Sequence, residues 1–128
     1  MGHYVTLGAR DHDAACAFYD VVLATVGWAA HQDFPGWRGY SEGGVNDGGA
    51  TLWVCRPFDG EAATNGNGTM MAFTVDDPAK VDAFHAAAMA NGGSNEGAPG
   101  PRPDYGPDWY AAYVRDPTGN KLAAVCHG

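Results

Sequence analysis

Two segments of this sequence resemble each other closely enough to be copies of one structural unit. Residues 4–27 read YVTLGARDHDAACAFYDVVLATVG and residues 70–93 read MMAFTVDDPAKVDAFHAAAMANGG, with Phe18 corresponding to Phe84 at an offset of 66 residues. Each copy begins with a short apolar run, passes acidic residues that favour the start of a helix, and continues with apolar residues at helical spacing. Such a repeat indicates one strand–helix unit used twice around a shared cavity.

Turn and periodicity signals around the repeat predict eight strands and two helices in the order βαβββ, then βαβββ. Asp11 or Asp13 is predicted to cap the first helix, which ends at Gly27, and Pro78 suits the first turn of the second helix. The DPTG sequence at 116–119 fits a type I turn. The predicted strands are residues 4–9, 28–33, 37–40, 50–55, 70–75, 93–97, 109–115 and 121–126.

The length and the linker composition predict one domain made of two halves. A chain of 128 residues is long enough for its own core and matches the usual size of a single domain. Residues 56–68 are rich in glycine and asparagine and are predicted to link the halves. The predicted units are therefore residues 1–60 and 68–128.

The charge and the cysteine content exclude several classes of function. A formal net charge of −8 disfavours partners such as nucleic acid and anionic membranes, which require basic surfaces. No run of 18 apolar residues and no signal peptide is present. Cys16, Cys55 and Cys126 are far apart and form no CxxC pair, which is typical of a reducing compartment. We therefore expect a cytoplasmic protein.

Three segments carry a resemblance to a known family: residues 4–28, residues 66–93, and the terminal YAAYVRDPTGNKLAAVCHG, of which VRDPTGNKL is the most specific part. In order and spacing they resemble the vicinal oxygen chelate superfamily of glyoxalase I, bleomycin- and fosfomycin-resistance proteins and extradiol dioxygenases. The resemblance implies an α+β fold in which two βαβββ units form an open eight-stranded cup. It also implies homodimers, since members with two short units commonly pair, and leaves open whether one chain completes a cup.

The metal site that the resemblance implies lacks suitable ligands here. In the family, the first and fourth strands of each unit supply His, Gln or Glu to a divalent metal in the cup. Strand alternation places Tyr4, Trp53, Met70 and Ala123 at those positions. None of these residue types is a good ligand for a hard or borderline cation. We therefore predict that the family's metal cofactor is absent.

The spacing of the five histidines does not predict a metal site elsewhere in the chain. They form no HxH, HxxxH or HxxE cluster, and we expect them to be separate surface residues. The five are His3, His12, His31, His85 and His127.

Aromatic and soft side chains are predicted to line the cup instead. Such rings favour a flat, apolar or cationic small molecule through stacking and cation–π attraction. There is no GxSxG motif and no phosphate loop, and Cys55, which alternation turns toward the cup, has no evident base nearby. Tyr40, Tyr105 and Tyr110 are expected near the edges of the cup. The predicted ligand-binding residues are Tyr4, Thr6, Arg38, Trp53, Met70, Trp109, Tyr113 and Ala123.

Two other functions remain open from the sequence. The first is a metal-dependent lyase or dioxygenase whose metal site is displaced from the usual positions. The second is an interaction module whose cup is packed shut. The sequence leaves open whether the chain is an enzyme. We predict that it binds a small aromatic or cationic molecule without a metal.

Overall fold

The computed structural model describes residues 2–127, and these form eight strands and two helices in the predicted order. The first unit contains β1 (Tyr4–Gly8), α1 (His12–Ala24), β2 (Trp28–Phe34), β3 (Trp37–Glu42) and β4 (Thr51–Cys55). The second contains β5 (Met70–Thr74), α2 (Pro78–Ala90), β6 (Ser94–Pro101), β7 (Tyr110–Arg115) and β8 (Lys121–Cys126). Both helices span 13 residues, and within residues 2–127 no helix is long and apolar enough to cross a membrane.

The eight strands form two four-stranded sheets with the same topology. The strand order is β1-β4-β3-β2 in the first sheet and β5-β8-β7-β6 in the second. In each sheet the opening strand runs parallel to the last strand of its unit, and the other neighbours are antiparallel. The predicted α+β class and the repeated βαβββ order are confirmed.

The repeat builds one hydrophobic core from both units. Phe18 of α1 and its repeat counterpart Phe84 of α2 are both fully buried, and the two helices contact each other. Trp28 of the first unit meets Phe73 of the second edge-on, with ring centroids 5.1 Å apart. The helix-facing sides of both sheets join this single core cluster. The opposite sides, called here the open faces, therefore point away from the shared core.

The helix starts follow the local sequence signals. Asp11, rather than Asp13, caps α1, and its carboxylate accepts a hydrogen bond from the Ala14 amide at 3.0 Å. Asp77 caps α2 in the same way, with Pro78 in the first turn, where its missing amide hydrogen costs nothing. Gly27, at a φ of 84°, follows the end of α1 and adopts a conformation that favours glycine.

The DPTG turn joins the end of the chain to the first unit. Buried Asp116 accepts hydrogen bonds from the amides of Thr118, Gly119 and Asn120 and from the Tyr19 hydroxyl of α1. The Asn120 side chain also donates to the Gly8 carbonyl at 2.8 Å. The most specific sequence block thus fixes how the second unit packs on the first.

Strand β6 is longer than predicted, reaching Pro101 rather than residue 97. Its pairing with β7 has register shifts around Gly97, and it contains Pro99 as well. An edge strand tolerates proline because one side of its backbone needs no partner in the sheet. This irregular edge forms one wall of the larger cavity described below.

Candidate functional site

A cavity with a volume of about 850 Å³ lies on the open face of the second sheet. Strand alternation directs Met70, Tyr113 and Lys121 to this face, and the loop before β7 adds further residues. The complete lining consists of Met70, Glu96, Gly97, Arg102, Asp104, Tyr105, Trp109, Tyr113 and Lys121.

Tyr113 stands at the centre of this face because its neighbours are small. It pairs with Gly97 on β6 and with Ala123 on β8, and Ala123 pairs in turn with Ala72 on β5. A Cβ atom on Gly97 would lie 3.0 Å from the Tyr113 ring. Ala123, predicted to line the cup, is fully buried and packs in a small cluster with Tyr113 and Trp109.

Two cations lie over the Tyr113 ring. The Arg102 guanidinium carbon and the Lys121 ammonium nitrogen are each 5.5 Å from the ring centroid, within the range of a cation–π contact. Arg102 donates to the carbonyl oxygens of Ala98 at 2.8 Å and Gly100 at 2.9 Å. The end of β6 therefore holds the Arg102 side chain in place. The cavity therefore presents positive charge beside an aromatic surface.

The acidic residues in the lining differ in their pairing. Arg115 donates to the Glu96 carboxylate at 2.7 Å and holds the pKa of Glu96 below its usual range. Asp104 is exposed at the rim of the cavity. The charge of Glu96 is thus partly offset within the protein.

Trp109, which immediately precedes β7, forms an aromatic wall of this cavity. Its ring stacks on His127, with centroids 4.8 Å apart and planes 11° apart, and Tyr105 approaches it edge-on at 6.0 Å. The indole Nε1 is buried without a hydrogen-bond partner among residues 2–127. This wall gives a flat ligand a large ring to pack against.

A smaller cavity of about 240 Å³ lies on the open face of the first sheet, between Tyr4, Thr51 and Trp53. Trp53 is half-buried there, against the rings of Phe34 at 6.1 Å and Trp37 at 6.2 Å. Its indole therefore has two aromatic neighbours, as the indole of Trp109 has in His127 and Tyr105.

A chain of polar side chains crosses this first face and was not predicted. His31 Nε2 lies 2.8 Å from Ser41 Oγ, which lies 2.9 Å from Thr51 Oγ1. His31 Nδ1 is buried without a partner among the described residues, which favours the tautomer with the proton on Nε2. Nε2 then donates to Ser41 and Ser41 to Thr51, whose hydroxyl can donate into the cavity. His31 follows Ala30, which packs against the core, so strand alternation directs His31 to this face, and the bulge interrupts the pairing of β2 with β3 at this point.

The structure distributes the predicted site residues over two faces. Tyr4 and Trp53 line the first cavity, whereas Met70, Trp109 and Tyr113 line the second, with Ala123 beneath Tyr113. Thr6 pairs with Trp53 and shares its face. No cavity described in residues 2–127 contains both Tyr4 and Met70.

Arg38 lies on the other side of the first sheet, not in the cup. It donates to Asp20 of α1 at 3.0 Å and lies 3.5 Å from Asp33. Tyr40 shares this side, is fully buried, and donates to Asp20 at 2.7 Å. Tyr110 likewise faces its helix and donates to Asp82. Alternating residues of one strand share a face, so Arg38 and Tyr40 turn to α1 together.

The donor set on the open faces does not fit a divalent metal. The family's ligand positions fall in two of the three open-face rows where the opening and closing strands pair, namely Tyr4 with Thr51 and Met70 with Lys121, then Thr6 with Trp53 and Ala72 with Ala123. Neither row offers an imidazole, a carboxylate or a thiolate, so a shift of register between these rows does not restore a site. Among residues 2–127, no group of three or more His, Cys, Asp or Glu side chains is placed to hold an ion.

The two cysteines of the first unit are poor nucleophiles. Burial raises the pKa of the Cys55 and Cys16 thiols, so both stay protonated near neutral pH. Cys16 Sγ lies 3.5 Å from His12 Nε2, but this nitrogen is also 3.1 Å from the Val54 carbonyl oxygen. If Nε2 donates to this carbonyl, Nδ1, at 3.7 Å from the same Sγ, is left as the longer-range acceptor of the ring.

Fold and sequence together define the family. The chain belongs to the glyoxalase/bleomycin resistance protein/dioxygenase superfamily, whose family model matches residues 1–124. A comparison with curated proteins gave no match.

Solved structures of the family share this architecture. A glyoxalase/bleomycin resistance protein from Albidiferax ferrireducens T118 is 36% identical, with a TM-score of 0.84 over 100% of this chain and 98% of that chain. A family enzyme from Burkholderia phytofirmans PsJN is 23% identical, with a TM-score of 0.73 over 98% of this chain and 97% of that one. A lactoylglutathione lyase from Agrobacterium tumefaciens is 24% identical, with a TM-score of 0.66 over 97% and 91%. The last two show a common fold alone.

Proposed function

We propose that this protein binds a small aromatic molecule on the open face of its second sheet, without a metal ion. The observation that carries the proposal is the cavity of about 850 Å³ walled by Tyr105, Trp109 and Tyr113, with Met70 at its edge. A cavity of this size accommodates a small organic ligand, and rings with a few polar groups are the usual lining of such sites. An open cavity also argues against an interaction module whose cup is packed shut.

The ligand was predicted to be aromatic or cationic, and the structure favours the aromatic form. A cation would be attracted to the face of Tyr113, but Arg102 and Lys121 already lie over that ring. The rings of Trp109 and Tyr105 remain available for stacking on a flat ligand.

The metal-free part of the proposal is supported by the residues at the family's ligand positions. Tyr4, Trp53, Met70 and Ala123 provide one phenol and one thioether. These donors do not hold zinc, nickel, iron or manganese at the affinity of a resident cofactor.

The test combines metal analysis with a binding screen. Purified protein is expected to contain no stoichiometric divalent metal and to bind members of an aromatic fragment library in ligand-detected NMR after treatment with a chelator. Trp109→Ala is expected to weaken those hits, and Phe58→Ala, at a ring that is 99% exposed in the linker, is the matched control. One equivalent of metal per chain would instead support the lyase or dioxygenase alternative.

We also propose that the protein is a homodimer. Strands β1 and β5 lie at sheet edges and expose apolar side chains, with Tyr4 71%, Val5 38% and Met70 44% accessible. Such edges invite pairing or cover by another chain, and a twofold dimer is the commonest arrangement for small proteins. A second copy would cover both edges at once and bring an open face of each unit toward the partner.

A cytoplasmic location is proposed on the state of the cysteines. Cys16, Cys55 and Cys126 are free thiols, which suits a reducing compartment. Fractionation of cells that express the tagged protein tests this, and recovery outside the cytoplasm would contradict it.

A further inference from the structure

We infer that the second-sheet cavity takes a planar aromatic carboxylate, with its ring against Trp109 and Tyr105 and its anionic group at Arg102 and Lys121. This inference rests on the proposed function and names the chemical class of its ligand. It gives the ligand a negative charge, which Arg102 and Lys121 would bind.

Among the described residues, Arg102 and Lys121 form no ion pair with a carboxylate. Within residues 2–127, neither has a carboxylate oxygen within 4.0 Å, whereas Arg38, Lys80 and Arg115 each have one. The protein carries a formal net charge of −8, so acidic partners are abundant elsewhere on the chain. Two cations without such partners that line one cavity form a local positive site in an acidic protein.

The guanidinium of Arg102 is held in place but keeps unused donors. Its Nη1 donates to Gly100 and Pro101, and its Nη2 donates to Ala98. Of five N–H donors, this leaves Nε–H and one Nη2–H for a ligand. Arg38 uses these two nitrogens to hold Asp20 in this chain, at 3.0 and 3.2 Å. A fixed guanidinium loses little entropy when it binds a carboxylate.

The acidic residues of the lining do not cancel this site. Glu96 is engaged by Arg115, which leaves Asp104 as the acidic side chain of the lining that forms no ion pair among residues 2–127. Asp104 sits in the exposed loop near Tyr105 and is solvated, whereas Arg102 and Lys121 are partly buried against Tyr113. Charges that are partly buried interact with a ligand more strongly than solvated ones do.

A matched ligand series tests the inference. Naphthalene-2-carboxylate, 2-naphthamide and 2-naphthamidine share one ring system and differ in charge, and calorimetry gives the affinity of each for the full chain. The carboxylate is expected to bind about tenfold or more tightly than the amide, which equals about 1.4 kcal/mol, and the amidine most weakly. Lys121→Met is expected to remove about tenfold of carboxylate affinity and to leave amide affinity unchanged.

The controls separate this inference from the proposed function. Lys80→Met removes a cation on α2, outside this cavity, and is expected to leave all three affinities unchanged. If Arg102→Met unfolds the loop, the Lys121 variant still carries the test. Equal binding of the three compounds, weakened throughout by Trp109→Ala, would overturn the anion site and leave the aromatic site standing. Failure of all three to bind would overturn the inference, and the aromatic fragment screen would decide the proposed function separately.

Discussion

Asp116 is the residue through which the two units are joined most directly. Its carboxylate accepts five hydrogen bonds, from three amides of its own turn, from the Asn120 side chain and from the Tyr19 hydroxyl at 2.5 Å. A buried carboxylate is tolerated only where its lone pairs are satisfied in this way. The residue therefore couples the last hairpin to α1.

Asp116→Ala is expected to lower the free energy of unfolding by about 3–5 kcal/mol, because it leaves buried donors without an acceptor. Asp76→Ala is the matched control, since Asp76 is 83% exposed and accepts from Lys80 at 2.7 Å. The control is expected to change the free energy of unfolding little, because solvent screens an exposed ion pair. Urea denaturation measures the free energy of unfolding of both variants. Equal losses would show that the hydrogen bonds of Asp116 stabilise the fold no more than an exposed ion pair does.

Tyr19 and Tyr40 make stability depend on alkaline pH. Burial, together with the nearby carboxylates of Asp116 and Asp20, raises the pKa of both phenols above the value of about 10 in an unfolded chain. The folded state therefore retains these protons when the unfolded state loses them. Stability is at its full value below about pH 10 and falls above it, by about 1.4 kcal/mol per pH unit for each phenol.

The measurement is a series of urea melts between neutral and alkaline pH. Tyr19→Phe is expected to reduce the alkaline slope, since phenylalanine does not titrate. An unchanged slope in this variant would contradict the assignment. Tyr105→Phe, at a phenol that is 65% exposed, is the comparison for a general effect of removing a hydroxyl.

Within each sheet, a large ring is placed over a glycine on the neighbouring strand. Trp53 of β4 lies over Gly39 of β3, and Tyr113 of β7 lies over Gly97 of β6. The two units thus reach the same packing with the ring on different strands. This difference makes the open faces unequal, with an aromatic cluster on the first and a roomy cavity on the second.

Gly39→Ala is expected to displace the Trp53 indole, because the new Cβ would lie 2.9 Å from the ring. Overpacking of this kind costs about 1–3 kcal/mol, and near-UV circular dichroism should report the moved ring. Gly106→Ala is the control, since its Cβ would meet nothing closer than Trp109 at 3.9 Å. Unchanged stability and spectrum in Gly39→Ala would show that the ring shifts without cost.

Sequence patterns predicted the elements well because their signals are local. Both helix caps, the first-turn Pro78 and the order of strands follow from residues within a few positions of each other. The position of the Arg38 side chain does not follow from local signals. Arg38 pairs with Asp20 of α1, which lies 18 positions away in the sequence. The polar chain through His31 was missed for a related reason, because it joins side chains on three strands that lie 10 positions apart in sequence.

At the scale of the whole molecule, the two sheets share one core and their open faces line separate cavities. Tyr4 and Trp53 line one cavity and Met70 another, so one chain does not bring these three side chains together. Sequence reasoning gave the content of each face but not the packing of the units, because that packing depends on contacts such as Trp28 with Phe73 between distant segments.

The proposed dimer predicts a specific effect at the first edge strand. Val5→Lys is expected to convert the dimer to a monomer, since a charge on an edge strand opposes pairing with another chain. Phe58→Lys, at an exposed linker residue, should leave the dimer intact. Size-exclusion chromatography with light scattering measures the mass, with circular dichroism as the check on folding. A monomeric wild-type protein at micromolar concentration would contradict the proposal.

We propose that the second sheet carries an aromatic site that needs no metal. Backbone-amide NMR with naphthalene-2-carboxylate tests this directly, because it reports which amides change their chemical shift when the ligand binds. In ¹⁵N-labelled, chelator-treated protein, titration is expected to shift the amides around Gly97, Arg102, Trp109, Tyr113 and Ala123. The amides of the first face, at Tyr4 and Trp53, should stay in place. Shifts confined to the first face, or shifts that occur only after a divalent metal is added, would contradict the account.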